Sequence, residues 1–504
     1  MLHKTLRIVM TLFLFLLFLS PIIIDLQEVR ACTHTELTDQ VDELFKDWDK
    51  IASPGAAVGI FKDGKIIYAR GYGMANLDYN IPITAQTVFR VGSVSKQFTA
   101  MCIALLIERG KISLDDDIRK YLPEMQEYDP PVTIRHMIHH TSGIRDYLVL
   151  QGLAGRSDGY FYTSAEVVDL LSRQKKLNFK PGRKYSYSNS GYFLLAEIVG
   201  RVSGMKTRDY ARKFIFEPLN MKNTHFHDNP KMVVKNRASG YMPLEGQGFK
   251  IHMTQLNMIG DGGIFTSVED FFKWDQNFYA NKLGQGTQDL IHLVLTPGKL
   301  EDGQEIDYAF GLVVSHYRGL RTISHGGSFV GYKAHYLQIP EHSFSVVILS
   351  NLGSFNPGRI ARSIADLYLA NSFTEPLRSQ RERPYQQEEP SPIPIPKEQL
   401  EKFAGEYHSD ELEATAFLQT DLNNLVIKLG RYKGSLAPIS LDTFMGTYIN
   451  DDAYDLEKRK IKFIKDQQER ITGFIMETEE IKNLVFKKTN QHGRINDMTK
   501  YIRR

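Results

Sequence analysis

Ser93 and Lys96, three residues apart in the stretch VGSVSKQFTA, are a pair whose types and spacing can do chemistry. A serine hydroxyl is a weak nucleophile until a nearby base takes its proton. At i and i+3 on a helix the two side chains share a face. A lysine partly withdrawn from water loses proton affinity, because burial penalises its charged form. The neutral amine can then accept the serine proton, and first-turn backbone N–H groups face an incoming anion. That chemistry is acyl transfer through a covalent serine. Taken alone, S-x-x-K equally describes a solvated helix start.

Two distant segments strengthen the pair. FKPGRKYSYSNSGYFLLAEIVG (residues 179–200) carries Tyr187-Ser188-Asn189 before a helical pattern, and SHGGSFVGY (residues 324–332) places His325 at a strand end before two glycines. Other hydroxyls and imidazoles compete for attention. Ser95 lacks a lysine three residues on and reads as a helix-surface or packing hydroxyl, and Tyr185 reads as a packing ring. His136, His139 and His140 look like a metal cluster. Only His136 and His140 would face each other, however, and a zinc site needs three or four ligands. The expectation is no metal and no cofactor.

The elements that position these residues follow from periodicity. PGAAVGIFKDGKIIYARGYG (residues 54–73) predicts two strands around Asp63-Gly64, a dipeptide suited to a tight hairpin turn. From Ser93 onward Phe98, Met101, Cys102, Leu105 and Leu106 recur at helical spacing, ending near Gly110. Cys102 on this stripe reads as a small core residue, and Phe271, Phe272 and Trp274 as core rings. EVVDLLSRQ and GYFLLAEIVGRVSG are helices, whereas RTISHGG, YKAHYLQIP and SFSVVILSNL are strands. The pattern predicts an α+β unit: one antiparallel sheet closed by distant segments, helices over its faces and a helical lobe beside it. Residues 374–398, rich in Pro, Glu, Gln and Arg, read as a linker. Beyond them ATAFLQTDLNNLVIKL, KIKFIK, RITGFIM and NLVFKK predict a small all-β barrel or sandwich over residues 399–490, with a basic tail at 491–504.

The 504 residues imply more than one domain. A net charge of +3 and the absence of long basic blocks argue against a nucleic-acid partner. Two cysteines, Cys32 and Cys102, make no disulfide framework. Residues 1–31 have a basic start, an apolar run broken by Ser20 and Pro21, and a polar end, the layout of a secretory signal. The alternatives are an uncleaved membrane anchor or cleavage and lipidation at Cys32, so export is expected, either free or tethered.

Together S-V-S-K, Y-S-N and H-G-G resemble, in order, the three motifs of the serine β-lactamase and penicillin-binding-protein superfamily. VTIRHMIHHTSGI, PLNMKNTHF and GDGGIFTSVEDFFKW extend the resemblance over roughly residues 36–370. Tyr187 is similar to the class C β-lactamase and D-stereospecific peptidase or esterase branch. The resemblance implies a β-lactamase-like domain (residues 36–373) followed by a lipocalin-like appendage. It also implies roles. Ser93 becomes acylated, Lys96 and Tyr187 share the base work, and Asn189 braces Lys96 and binds substrate. His325, Gly326, Gly327 and Ser328 form the substrate wall, with Ser93 and Ser328 N–H groups as oxyanion donors. Which of Lys96 and Tyr187 takes the first proton stays open. A histidine is only partly charged near neutrality where relatives carry lysine, which ranks D-peptide or ester hydrolysis above β-lactam hydrolysis. The expected partner is a small molecule or short peptide. The reading from another class is a non-catalytic penicillin-binding or sensor protein, and a metallohydrolase is the third. The oligomeric state is open.

Overall fold

A computed structural model describes residues 36–156, 162–377, 390–421, 424–450, 458–478 and 480–489. The expected signal at residues 1–31, including Cys32 just beyond it, and the basic tail lie outside these. Among the described residues, no helix is long and apolar enough to cross a membrane.

Six antiparallel strands form the central sheet, in the order Val313–Tyr317, Leu320–Phe329, Tyr332–Ile339, Phe344–Ser350, Ala56–Lys62 and Lys65–Tyr72. The early hairpin therefore pairs with the last strand of the domain, Ala56 opposite Ser350 through Lys62 opposite Phe344. Its turn has φ of 49° at Asp63 and 74° at Gly64, the left-handed angles that the Asp-Gly pair tolerates. Alternation along Ala56–Lys62 divides the core. Ala56, Val58 and Ile60 face a cluster with Ile360 and Ile364 of the helix Pro357–Tyr368, whereas Ala57 and Phe61 face Phe271 and Trp274. The edge strand Val313–Tyr317 was not expected; its half-buried VVSHY carries a weak pattern.

The helix Lys96–Glu108 is buried on nearly all sides, which is why it is apolar almost throughout. It packs beside the helix Asn189–Ser203, which ends on Gly204 at φ 68°, a left-handed cap.

The C-terminal unit is a closed barrel of eight antiparallel strands between Gly405 and Lys488, its first and last strands paired at Tyr407 and Lys488. ATAFLQTDLNNLVIKL is two of them, Ala414–Asp421 and Asn424–Leu429. Gly405–Ser409, Tyr432–Pro438 and Thr443–Asn450 were not expected, because glycine, proline and serine dilute their alternation. Phe444, Phe463, Phe474 and Phe486 fill the interior. The barrel docks on the helical lobe through a buried ion pair, Arg145 Nη1 to Glu411 Oε2 at 2.7 Å. Arg145 also donates to the carbonyls of Lys482 (3.0 Å) and Asn483 (2.9 Å).

Candidate active site

Ser93 does not sit on the α-helix. It lies in a 3-10 turn, Gly92–Ser95, and the α-helix begins at Lys96. Three residues per turn set Ser93 and Lys96 in line along one edge. Gly92 takes φ +52°, and a Cβ there would press on the Ser328 nitrogen 2.7 Å away. Ser95, fully buried, donates to Gly92 O (2.6 Å) and accepts from Ile264 N (3.0 Å). It fastens the turn and does not face the cleft.

Lys96 is fully buried, and its ammonium donates to Ser93 Oγ (3.2 Å), Asn189 Oδ1 (2.8 Å) and the Asp261 carbonyl (2.7 Å). Burial pulls its pKa down to about 8, while the nearby Asp261 and Asp146 carboxylates pull the other way. An amide oxygen and a backbone carbonyl can only accept. When Lys96 loses a proton, those two acceptors keep its two N–H bonds, and the lone pair is left facing Ser93.

Tyr187 stands across from them. The Lys96 ammonium lies 4.7 Å from its ring centre, and its hydroxyl bonds to Ser93. Burial pushes the phenol well above its ordinary value, and the Ser93 bond offsets this only in part. A phenolate is thus disfavoured here, and Tyr187 is suited to hold and deliver a proton. Of the two bases left open by the sequence, the geometry favours Lys96. Asn189 begins its helix, and its N–H donates to Asp146 Oδ2 (2.7 Å), which fixes the amide that braces Lys96.

His325 departs from expectation in two ways. The strand does not end there but continues through both glycines to Phe329, because Gly327 pairs with Ala334. A Cβ on Gly327 would collide with the Val91 carbonyl oxygen, so glycine is what lets this strand close on the nucleophile turn. Nor is the imidazole partly charged. Its Nδ1 bonds to Gly326 O (2.6 Å) and its Nε2 to the Tyr308 hydroxyl (2.9 Å). Gly326 O can only accept, so Nδ1 carries the proton, and in the neutral ring Nε2 accepts from Tyr308. Burial, with the Lys96 charge, lowers its pKa to about 3. His325 is neutral and both its nitrogens are engaged.

The cleft has two halves. One, about 240 Å³, is lined by Asn189, Tyr147, Asp261, Arg90 and the barrel's Glu480. The other, about 620 Å³, runs along Gly326 and Gly327 to Lys333, His335 and Pro357. Ser93, Tyr187 and Ser328 belong to both.

Several of these residues were not singled out from the sequence. Asp261 lies in the quoted GDGG, but its carbonyl contact is invisible there. Asp146 follows SGIR directly, and Tyr308 has no local signal. The three clustered histidines serve the scaffold: His136 Nδ1 accepts from Thr133 N (3.2 Å), His139 Nδ1 bonds to Tyr308 O (3.0 Å), and His140 Nδ1 accepts from Ser188 N (3.1 Å). Tyr185, expected to be packed, is 44% exposed, with its ring centre 6.0 Å from that of Tyr308.

Because the reacting form of Lys96 is the neutral one, the rate at which a fluorophosphonate labels Ser93 should rise with pH through an inflection near 8. Below it the rate should fall about tenfold per unit. No inflection between pH 5 and 7 is expected from His325, already neutral there. A labelling profile flat from pH 6 to 9 would contradict Lys96 as the base.

A family model described as beta-lactamase matches residues 41–371. A D-aminopeptidase of Gluconobacter oxydans is 28% identical over 302 residues, 60% of this chain and 56% of that protein. A D-aminopeptidase of Brucella anthropi is 29% identical over 326 residues, 64% of this chain and 61% of that protein. The chain thus spans about three-fifths of the length of these curated relatives. Among solved structures, the octameric penicillin-binding protein homologue from Pyrococcus abyssi superposes with a TM-score of 0.59 at 25% identity, covering 90% of this chain and 99% of that one.

Proposed function

The chain belongs to the beta-lactamase family, and we propose that it is an exported serine hydrolase that releases an amino-terminal D-residue from small peptides or amides through an acyl-enzyme on Ser93. The observation that carries this reading is the Lys96 ammonium held by Ser93, Asn189 and the Asp261 carbonyl. Neutral Lys96 takes the Ser93 proton as Oγ attacks the substrate carbonyl. The oxyanion forms against the N–H groups of Ser93 and Ser328, where losing one donor typically costs roughly 10²–10³ in turnover. Tyr187 gives its proton to the departing nitrogen and regains one from Lys96. Water then cleaves the ester by the reverse path.

The substrate class rests on the relatives named D-aminopeptidase and on the smaller half of the cleft. Asp261 Oδ1 is buried there without a hydrogen-bond partner, and Glu480 lines the same space. Two acidic side chains against the one guanidinium of Arg90 suit the ammonium of a free amino terminus. Export rests on the layout of residues 1–31.

Intact-mass spectrometry after mixing with a D-alanyl peptide, a short-chain ester and a penicillin tests nucleophile and substrate class together. The expected result is turnover of the D-alanyl peptide with a transient acyl mass on Ser93. A persistent penicillin adduct with no peptide turnover would replace this reading with a penicillin-binding one.

A further inference from the structure

Among the described residues the two halves of the cleft share only Ser93, Tyr187 and Ser328, so a carbonyl seated on Ser93 sends one substituent into each. The halves differ in charge. The smaller one holds Asp261 and Glu480, together with Arg90, whose guanidinium lies 4.6 Å from the Phe329 ring centre. Among the described residues the larger half has no carboxylate in its lining, and its one permanent cation is Lys333. If the amino-terminal residue occupies the acidic half, as the proposed function requires, the leaving group occupies the half with Lys333.

Lys333 is placed by register. The hairpin after His-Gly-Gly turns at Val330-Gly331, which sets Lys333 directly opposite Ser328. Its ammonium donates to Ser328 Oγ at 2.7 Å. Among the described residues no carboxylate pairs with it. The cation therefore stands beside the residue whose N–H serves the oxyanion, with no anion of its own among the described residues. In a dipeptide the carboxylate lies two bonds beyond the scissile nitrogen, close to that position. His325 offers a carboxylate no free donor there, because both its nitrogens are engaged elsewhere.

We propose that Lys333, with the Ser328 hydroxyl, receives a carboxylate on the leaving group, so that short D-peptides with a free carboxyl terminus, dipeptides above all, are preferred to their amides. This inference rests on the proposed function for the orientation of the substrate.

The test compares D-alanyl-D-alanine with its carboxyl-terminal amide on the full chain. Wild-type enzyme should favour the acid in kcat/KM by roughly tenfold or more, the usual effect of one charge-assisted hydrogen bond. In Lys333→Met that ratio should collapse toward one, mainly through KM, while Lys333→Arg should keep it within about threefold. An unchanged ratio in Lys333→Met, or a collapse in Lys333→Arg equal to that in Lys333→Met, overturns the proposal. If the wild type hydrolyses neither compound, it is the proposed function that fails. The subsite is then judged by protection of Ser93 from fluorophosphonate by D-alanine but not by D-alanine amide. Protection lost in Lys333→Met supports the subsite, and equal protection in both proteins overturns it.

Discussion

Ser93→Ala should form no acyl adduct with any substrate, Lys96→Met should lose turnover by roughly 10⁴-fold or more, and the double variant should be no worse than either. The non-additivity is the informative part. Ser93 is a nucleophile only while the Lys96 lone pair faces it, so removing either one removes the same step. Were Lys96 merely a buried structural cation, its loss would add to that of Ser93 and would appear chiefly as instability. The variants separate those cases, because Ser93→Ala removes only the hydroxyl's bonds to Lys96 (3.2 Å) and Tyr187 and leaves Asn189 and Asp261 in place. It should melt like wild type and remain silent in mass spectrometry. Measurable turnover by a folded Ser93→Ala protein would end the assignment.

What was legible in the sequence was whatever lies close along the chain or repeats with a period. The Asp63-Gly64 hairpin, the apolar stripe after Ser93 and the S-x-x-K spacing are local and were readable. The order of S-V-S-K, Y-S-N and H-G-G carried the family. Contacts made by chance of position in three dimensions were not legible. The Asp261 carbonyl reaches Lys96 across 165 positions of chain, and nothing in GDGG announces that a backbone oxygen, not a side chain, makes the contact. The neutrality of His325 depends on Tyr308, 17 residues earlier and in a loop without periodicity. Lys333 is an intermediate case. Once the turn after His-Gly-Gly is located, strand register places it opposite Ser328. The barrel strands that were missed are those in which glycine and proline interrupt alternation.

The contribution of the barrel to catalysis can be read from Arg145. Its guanidinium and the Glu411 carboxylate are 0% and 7% exposed, so neither charge has water to fall back on. Glu411→Ala should destabilise the protein by roughly 3–5 kcal/mol, because it strands a buried cation. Arg145→Met combined with Glu411→Leu should recover much of that loss, since two apolar groups of similar volume leave no charge unpaired. Denaturant midpoints of the single and double variants measure this directly. A Glu411→Ala midpoint equal to wild type would show that the pair does not hold the barrel. Activity should follow stability only in part. The residue after Arg145 is Asp146, whose carboxylate holds the N–H of Asn189, and the Arg145 carbonyl accepts from Ser190 Oγ (2.7 Å). One short segment therefore ties the barrel to the amide that orients Lys96. In the double variant the charges are gone but the barrel's Lys482 and Asn483 carbonyls lose their donor. Its stability should recover only in part, and kcat should stay below wild type, because the anchor of that segment is missing. Full recovery of both would mean that the barrel stabilises the site without positioning it.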